Sequence, residues 1–360
     1  MFASQSRPVS RSHRRSDSRK SLSAAIPIGD QSVLKEPEML TKEKITSFPT
    51  LNRAYNETFT PKKLTLGLVV PLEAYPNNPV PDMARHLERV QVAEALGFSA
   101  VWLRDVPFNV PGFGDAGQVF DPFVYLGLLA GQTTNIALGV ASIVLPLRHP
   151  AHVAKAAASV DVLSGGRLLL GIASGDRPEE FPAMDIGFAE RGARFRDSYH
   201  YIRHMAHSRP AFENDYGAPH GGMDMLPKPF ADHLPLLITG GSQQTPDWGA
   251  AHGDGWMTFP RGTVAQARMI AEYRARVAAV GENDKPVMQP LYVDLAPHPD
   301  TEHSPIHLGF RSGSNHLRQY LKSLEEIGVN HVALNLRFNQ AHIETTLKQL
   351  ADEILPDFTP

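Results

Sequence analysis

The sequence predicts an α/β fold, a closed (β/α)8 barrel occupying residues 61–360, preceded by a disordered extension over residues 1–60. Three observations support this. From Leu64 onward, short apolar runs alternate with stretches of helical period, the signature of repeated βα units on a parallel sheet. Eight such runs can be counted, the strand number of a barrel. Several are apolar throughout, as strands covered on both faces must be.

The strands are expected at residues 64–70, 100–104, 136–141, 168–173, 234–239, 255–259, 287–295 and 331–336. The run Leu168-Leu169-Leu170-Gly171-Ile172 is the clearest. Helical periods fill the intervals at residues 82–96, 122–131, 151–163, 266–280, 315–327 and 342–355. The first sets Val90, Ala93 and Leu96 on one face and closes at Gly97, a C-cap residue. An open doubly wound sheet has the same alternation and is the alternative architecture.

Ser and Arg dominate residues 1–23, where Arg7, Arg11, Arg14, Arg15 and Arg19 face Asp17 as the only acid. Organelle transit peptides share this composition, but so does a segment that buries too little surface to offset its ordering entropy, which is the expectation here. No apolar stretch follows the basic residues, so a secretory signal is not expected. Apolar content of 42%, charged content of 20% and a net charge of -3 are ordinary for a globular protein and supply no basic field for nucleic acid. No segment approaches the roughly 18 consecutive apolar residues of a membrane span. The sequence has no cysteine, which removes disulfides, thiolate nucleophiles and sulfur-ligated metals and agrees with a cytoplasmic location.

In a barrel the active site is built from strand C-termini and the loops after them. That rule selects Glu73, Arg104 and Asp105, residues 142–149, residues 174–177, residues 240–245, Pro260 and Arg261, and the loop 298–311. The long loops after strands four (175–189) and seven have the length of lids.

In Ile238-Thr239-Gly240-Gly241-Ser242-Gln243-Gln244-Thr245 an apolar strand runs into two glycines and a hydroxyl before a helix. Glycines let the backbone approach an anion, N–H groups at a helix start point at it, and Ser242 and Thr245 add hydroxyls. A plain βα turn with a serine cap uses the same residues, so the spacing leaves both readings open. Gly112-Phe113-Gly114-Asp115-Ala116-Gly117 spells GxGxxG, but Pro107 and Pro111 separate it from its strand and the next helix starts only at Asp121-Pro122. It reads as a glycine-rich loop over the barrel mouth rather than a dinucleotide site. After strand three, Arg148 can hold an anionic substrate or a cofactor carbonyl and His149 can donate a proton; alternatively, His149-Pro150 merely opens the next helix. His149 and His152 lack carboxylates at ligand spacing, so no metal is expected. Asp161 and Arg167 flank a Gly-capped helix end and look structural, while Arg311 on the strand-seven loop is either a substrate clamp or a solvated surface arginine.

Taken in order, several segments resemble the bacterial-luciferase-like flavin oxidoreductases. They are residues 139–146 (Gly-Val-Ala-Ser-Ile-Val-Leu-Pro) with His149-Pro150, Ser164-Gly165-Gly166-Arg167-Leu168, Gly171-Ile172-Ala173-Ser174-Gly175, and Gly240-Gly241-Ser242 with Trp248. Within that family the chain is similar to the luciferase-type oxidoreductase branch. The segments behind this are 102–107 (Trp-Leu-Arg-Asp-Val-Pro), 114–122 (Gly-Asp-Ala-Gly-Gln-Val-Phe-Asp-Pro), 174–182 (Ser-Gly-Asp-Arg-Pro-Glu-Glu-Phe-Pro) and 305–311 (Pro-Ile-His-Leu-Gly-Phe-Arg). The resemblance implies a TIM barrel whose FMN has its phosphate on Gly240, Gly241, Ser242 and Thr245 and its ring near Ala141, Ser142, Ala173 and Ser174, over a cis peptide at Ala141-Ser142. It implies a monooxygenase in which reduced FMN from a partner flavin reductase and O2 act on a small organic substrate, in a homodimer; a deazaflavin-dependent hydride transfer or a non-catalytic flavin binder is the alternative. Catalytic candidates are Arg104, Asp105, Arg148, His149 and Arg311. Asp105 stands where a luciferase carries its catalytic histidine, as a base or as a partner of Arg104.

Overall fold

The computed structural model describes residues 47–281 and 283–359. The residues before 47, including the Arg/Ser-rich stretch, lie outside the described residues. Strands β1 (Thr65–Val69), β2 (Ala100–Leu103), β3 (Ala137–Val144), β4 (Leu168–Ala173), β5 (Leu236–Thr239), β6 (Gly255–Met257) and β7 (Val287–Leu295) pair in sequence order, all parallel. After a hairpin of β8 (Ser304–Ile306) and β9 (Gly309–Ser312), β10 (His331–Asn335) pairs with both β7 and β1. That double pairing closes the barrel and rules out the open sheet.

Helices cover the outside: α1 (Arg53–Thr58), α2 (His86–Ala95), α3 (Pro122–Gln132), α4 (Pro150–Leu163), α5 (Glu180–Ala183), α6 (Arg191–Met205), α7 (Pro246–His252), α8 (Thr263–Ala279), α9 (Ser314–Glu326) and α10 (Ile343–Glu353). The Asp121 side chain caps α3 by accepting from the Phe123 and Val124 N–H groups, with Pro122 at the first helical position where no N–H is needed. One face of each strand packs on this helical layer, as with Leu66, Leu138, Leu170 and Leu236. The alternate face fills the barrel.

That interior is a packed layer. Trp102 and His331 occupy it fully buried, and strand glycines make the room. A Cβ on Gly139 would stand 2.3 Å from the Trp102 ring, and one on Gly67 would stand 2.7 Å from His331 Nε2. The indole N–H of Trp102 donates to His331 Nε2 at 2.8 Å, which puts the imidazole proton on Nδ1, 2.8 Å from the Thr65 hydroxyl. Thr65 in turn donates to the Thr58 carbonyl at 2.7 Å. The Trp102 link needs a neutral imidazole, since Nε2 must accept, and burial pushes the His331 pKa down to about 3.

The boundary expected at residue 60 falls inside a structured segment. Phe48, Tyr55 and Phe59 bury against Ala100, Leu169, Leu237 and Met288 at the barrel's lower end, and the Tyr55 hydroxyl donates to the Asp254 carbonyl at 2.7 Å. Asn52 caps α1 and ties it to Asp161 and the Leu168 carbonyl, each at 2.8 Å. Polar local composition hid this segment, because its burial comes from residues distant in sequence, from Ala100 to Met288. The long loop expected after strand seven folds partly into the β8–β9 hairpin, and β9 extends the sheet beside the outer half of β7, from Tyr292 opposite Gly309 to Leu295 opposite Ser312. Among the described residues no helix is long and apolar enough to cross a membrane.

Candidate active site at the barrel mouth

A cavity of about 480 Å³ opens at the strand C-termini. Its wall includes Arg104, Asp105, Ala141, Ser142, Ala173, Ser174, Gly240, Gly241 and Ser242. Nearly all the expected cofactor-site residues therefore meet, though they come from three strands, β3, β4 and β5. Thr245 is the exception. It caps α7, its hydroxyl oxygen accepting from the Trp248 N–H at 3.2 Å, and it lines a separate cavity of about 240 Å³ that shares only Gly240 and Gly241 with the mouth.

The turn after β5 is held open in an unusual shape. Gly240, Ser242 and Gln243 all have positive φ, at 55°, 43° and 59°. The Gly240 N–H is spent on the Met257 carbonyl and the Gln244 N–H on the Gly241 carbonyl. Among the described residues, the N–H groups of Gly241, Ser242 and Gln243 take no hydrogen bond. Successive free N–H groups in such a conformation form a concavity suited to an anion. α7 is only two turns long, so the concavity is a property of this turn and not of a helix dipole.

Thr239, the last residue of β5, locks the turn to the opposite wall. Its carbonyl accepts from the Ser242 hydroxyl at 2.8 Å, and its own hydroxyl touches that of Ser142. The Ala141–Ser142 peptide is cis, and the β3–β4 register shifts between Val140 and Ile143. Behind it Gly171 allows close approach, since a Cβ there would lie 2.4 Å from the Val140 carbonyl oxygen. Thr239 escaped the sequence reading because it looked like the end of an apolar strand.

The charged candidates divide. Asp105 does not pair with its neighbour Arg104. Its carboxylate receives Arg148 through Nε at 3.0 Å and Nη2 at 2.7 Å, and also accepts from the Val144 N–H at 3.1 Å. Arg148 in addition holds Asp121 at 2.8 Å; both its anionic partners raise its pKa against the opposing effect of burial. Arg148 is thus already satisfied and lines a neighbouring cavity of about 350 Å³ with Asp105, Phe120 and Met184. The His149 Nδ1 accepts from the Ala151 N–H at 3.2 Å, capping α4, and its ring packs edge-on to Tyr201 and Tyr216. Arg311 sits on β9, bound to Asp294 at 2.6 Å. Neither His149 nor Arg311 belongs to the mouth wall.

Arg104 has a different partner, which sequence spacing did not reveal. It grips Asp115 at 2.9 and 3.1 Å and the Tyr75 hydroxyl at 3.2 Å, while Arg337 reaches the same carboxylate at 2.8 Å. Burial would raise the Asp115 pKa, but the Arg104 hydrogen bond and charge, a hydrogen bond from the Gly117 N–H and the Arg337 charge hold it below the usual carboxylate range. Asp115 docks the glycine-rich loop beside Arg104 and Arg337, although none of residues 112–117 lines the mouth cavity. On the loop after β4, Arg177 lies 4.6 Å above the Phe113 ring and 3.9 Å from Glu180. Burial, opposed by Arg177 and aided by Asp105, pushes the Glu180 pKa up to about 7. Among the described residues no group of His, Asp and Glu is arranged to hold a metal ion.

A closed parallel barrel with its cavity at the strand C-termini is an enzyme architecture. Residues 64–347 match the luciferase-like monooxygenase family, and the chain belongs to that family. An uncharacterized protein of Mycobacterium tuberculosis is 28% identical over 194 residues, 49% of this chain and 65% of that protein. The F420-dependent hydroxymycolic acid dehydrogenase of the same organism is 28% identical over 204 residues, 55% of each chain. The alkanal monooxygenase alpha chain of Photorhabdus luminescens is 27% identical over 165 residues, 45% of this chain and 44% of that one. The chain thus spans less than two thirds of the length of each of these three relatives. The fold is shared with an F420-dependent secondary alcohol dehydrogenase (TM-score 0.68, 17% identity, 83% of this chain and 100% of that one). It is also shared with the oxygenating constituent of 3,6-diketocamphane monooxygenase from Pseudomonas putida in complex with FMN (TM-score 0.67, 15% identity, 83% and 100%).

Proposed function

We propose that this chain is an FMN-dependent monooxygenase acting on a small organic substrate. The observation that carries the reading is the run of unpaired N–H groups at Gly241, Ser242 and Gln243 on the wall of the mouth cavity. A phosphate monoester satisfies all of them at once. The cavity volume is also within the few hundred to about 1,000 Å³ usual for cofactor sites. When bound, reduced FMN supplies two-electron chemistry with O2.

The chain's own residues bind, orient and shield. Gly240 to Gln243 anchor the phosphate. Ala141, Ser142, Ala173 and Ser174 are the wall for the flat ring. Asp105, fixed by Arg148, and Arg104, fixed by Asp115, present preorganised polar groups from the β2 side. The loops carrying Asp115 and Arg177 exclude water. A separate flavin reductase as the source of reduced cofactor, a homodimer and a cytoplasmic location belong to the same proposal.

The relative named as an F420-dependent dehydrogenase favours a second reading, in which a deazaflavin binds the same turn and carries hydride without oxygen. Fluorescence titration with FMN and with a deazaflavin, followed by oxygen consumption, separates the two. Ser242→Ala, which removes the hydroxyl bond to Thr239, is expected to weaken FMN binding about tenfold. Unchanged affinity sinks the placement of the phosphate, and uptake of the deazaflavin alone sinks the FMN reading.

A further inference from the structure

Behind the β5 turn the layer between sheet and helices is not filled. Ile238 on β5 and Trp256 on β6 are register partners that pack outward, toward the helices. The cavity of about 240 Å³ lies there, walled by these two residues, by Gly249 of α7 and by Met269 and Tyr273 of α8. Close-packed interiors hold few voids larger than a water molecule, so a space of this size has a cause. Gly249 supplies it. Glycine weakens a helix and stands here in the middle of α7, yet a Cβ added to it would meet nothing within 4 Å. No neighbour demands the glycine; its missing side chain is what leaves the cavity open.

The lining defines the occupant. An apolar cavity of about 150 Å³ takes a benzene, so this larger one has room for a flat molecule of two rings. The Trp256 and Tyr273 rings, 5.1 Å apart and inclined at 31°, offer it aromatic surface. The cations at the edge already have partners: Arg261 donates to Thr258 Oγ1 at 2.8 Å and to the Phe259 carbonyl at 2.9 Å, and Arg276 pairs with Asp247 at 3.2 Å. With Glu272 also on the wall, an anion gains little there and a neutral molecule loses nothing. The cavity also backs the anion turn. Gly240 and Gly241 wall both it and the mouth, whereas Ser242 and Gln243 wall the mouth alone. The Trp256 indole N–H donates to the Gly240 carbonyl at 3.0 Å, so a ring packed on Trp256 bears on the group that holds the first residue of the turn.

We propose that the cavity between α7 and α8 is an effector site for a neutral, flat, two-ring aromatic molecule, and that filling it strengthens anion binding at the β5 turn. The binding needs no flavin; the coupling rests on the anion turn of the proposed function and runs equally in both directions, as coupling between two sites must. An occupant stacked on Trp256 holds its indole, and through it the Gly240 carbonyl, so less of the turn remains to be ordered when a phosphate arrives.

The test is isothermal titration of the full chain with 2-naphthol, naphthalene-2-sulfonate and octan-1-ol, each with and without inorganic phosphate. 2-Naphthol is expected to bind one to one, about tenfold more tightly than either of the others, and to raise the affinity for phosphate about fivefold. Gly249→Leu, which puts a side chain into the cavity, should abolish 2-naphthol binding and leave phosphate binding in place. Gly249→Ala, favourable in a helix, should weaken 2-naphthol binding without risk to folding. Trp256→Phe keeps a ring but removes the N–H donor, and should retain 2-naphthol while losing the coupling. A 2-naphthol affinity untouched by both Gly249 variants places the molecule elsewhere and overturns the site. Equal or tighter binding of the sulfonate or the alkanol overturns the ligand class, and a phosphate affinity unmoved by 2-naphthol overturns the coupling. A chain that binds 2-naphthol but no phosphate loses the anion turn, and the coupling with it, and keeps the site; a chain that binds phosphate but no 2-naphthol keeps the turn and loses this proposal.

Discussion

Two buried arginines, Arg167 and Arg177, show how the ends of one barrel differ. Arg167 sits just before β4, at the lower end, and is 2% exposed. Its guanidinium has no carboxylate, yet every donor is used: Nε on the Ser164 carbonyl, Nη1 on Thr133 Oγ1 and the Ile136 carbonyl, Nη2 on the Ala130 and Thr133 carbonyls, all between 2.8 and 3.0 Å. Arg177, just after β4, is held by an aromatic ring and makes one long contact to a carbonyl. The strand separating them is six residues long. At the lower end Arg167 has all its donors satisfied by the chain, and at the upper end Arg177 does not.

That contrast can be broken by experiment. The largest effect is expected from His331, in the satisfied interior. Its pKa is pushed down to about 3 by burial, against an ordinary value of about 6.5. The folded state therefore takes up the proton less readily than the unfolded one. Stability is complete above about pH 6.5 and falls as pH drops toward 3, by roughly 4 kcal/mol for this group alone. His331→Gln should flatten that part of the pH dependence in denaturant unfolding; an unaltered slope between wild type and variant would show the imidazole charges without penalty. Next, Arg167→Gln should cost roughly 3 kcal/mol, because several buried carbonyls lose their donors together. If Arg177→Gln cost as much by the same unfolding assay, the division between the two ends would be wrong.

Asp105→Asn should be milder, about 1–2 kcal/mol, since Arg148 retains Asp121 while losing its bidentate partner. At the small end, Glu57→Ala on α1 removes a half-exposed pair with Arg53 and should shift stability by no more than about 0.5 kcal/mol. A larger loss would mean that the lower plug depends on surface charge rather than on Tyr55 and Phe59.

What the sequence revealed follows the same division. Strand β4 appears at the residues expected for it, because continuous apolar runs report burial on both faces locally. The β5 turn was legible from two glycines at a strand end. The β8 strand was not: it is short, exposed and contains Pro305, so nothing in its pattern distinguishes it from a loop. The helix α1 was missed for the opposite reason, its burial being tertiary. In the site, the pairing of Asp105 with Arg148 and of Arg104 with Asp115 joins residues 43 and 11 positions apart. Adjacent charges in sequence suggested a pair that the structure does not form, because each side chain is taken by a partner from another loop, Arg104 by Asp115 and Asp105 by Arg148.

The plug at the lower end has a kinetic consequence. With Tyr55 and Phe59 closing one end and Trp102 and His331 filling the middle, the vessel has a single door at the mouth. Two ligands sharing the mouth cavity cannot exchange independently. Under the proposed function a cofactor and a substrate would pass the same rim, and an ordered exchange, with the inner ligand entering first and leaving last, is the kinetic pattern expected.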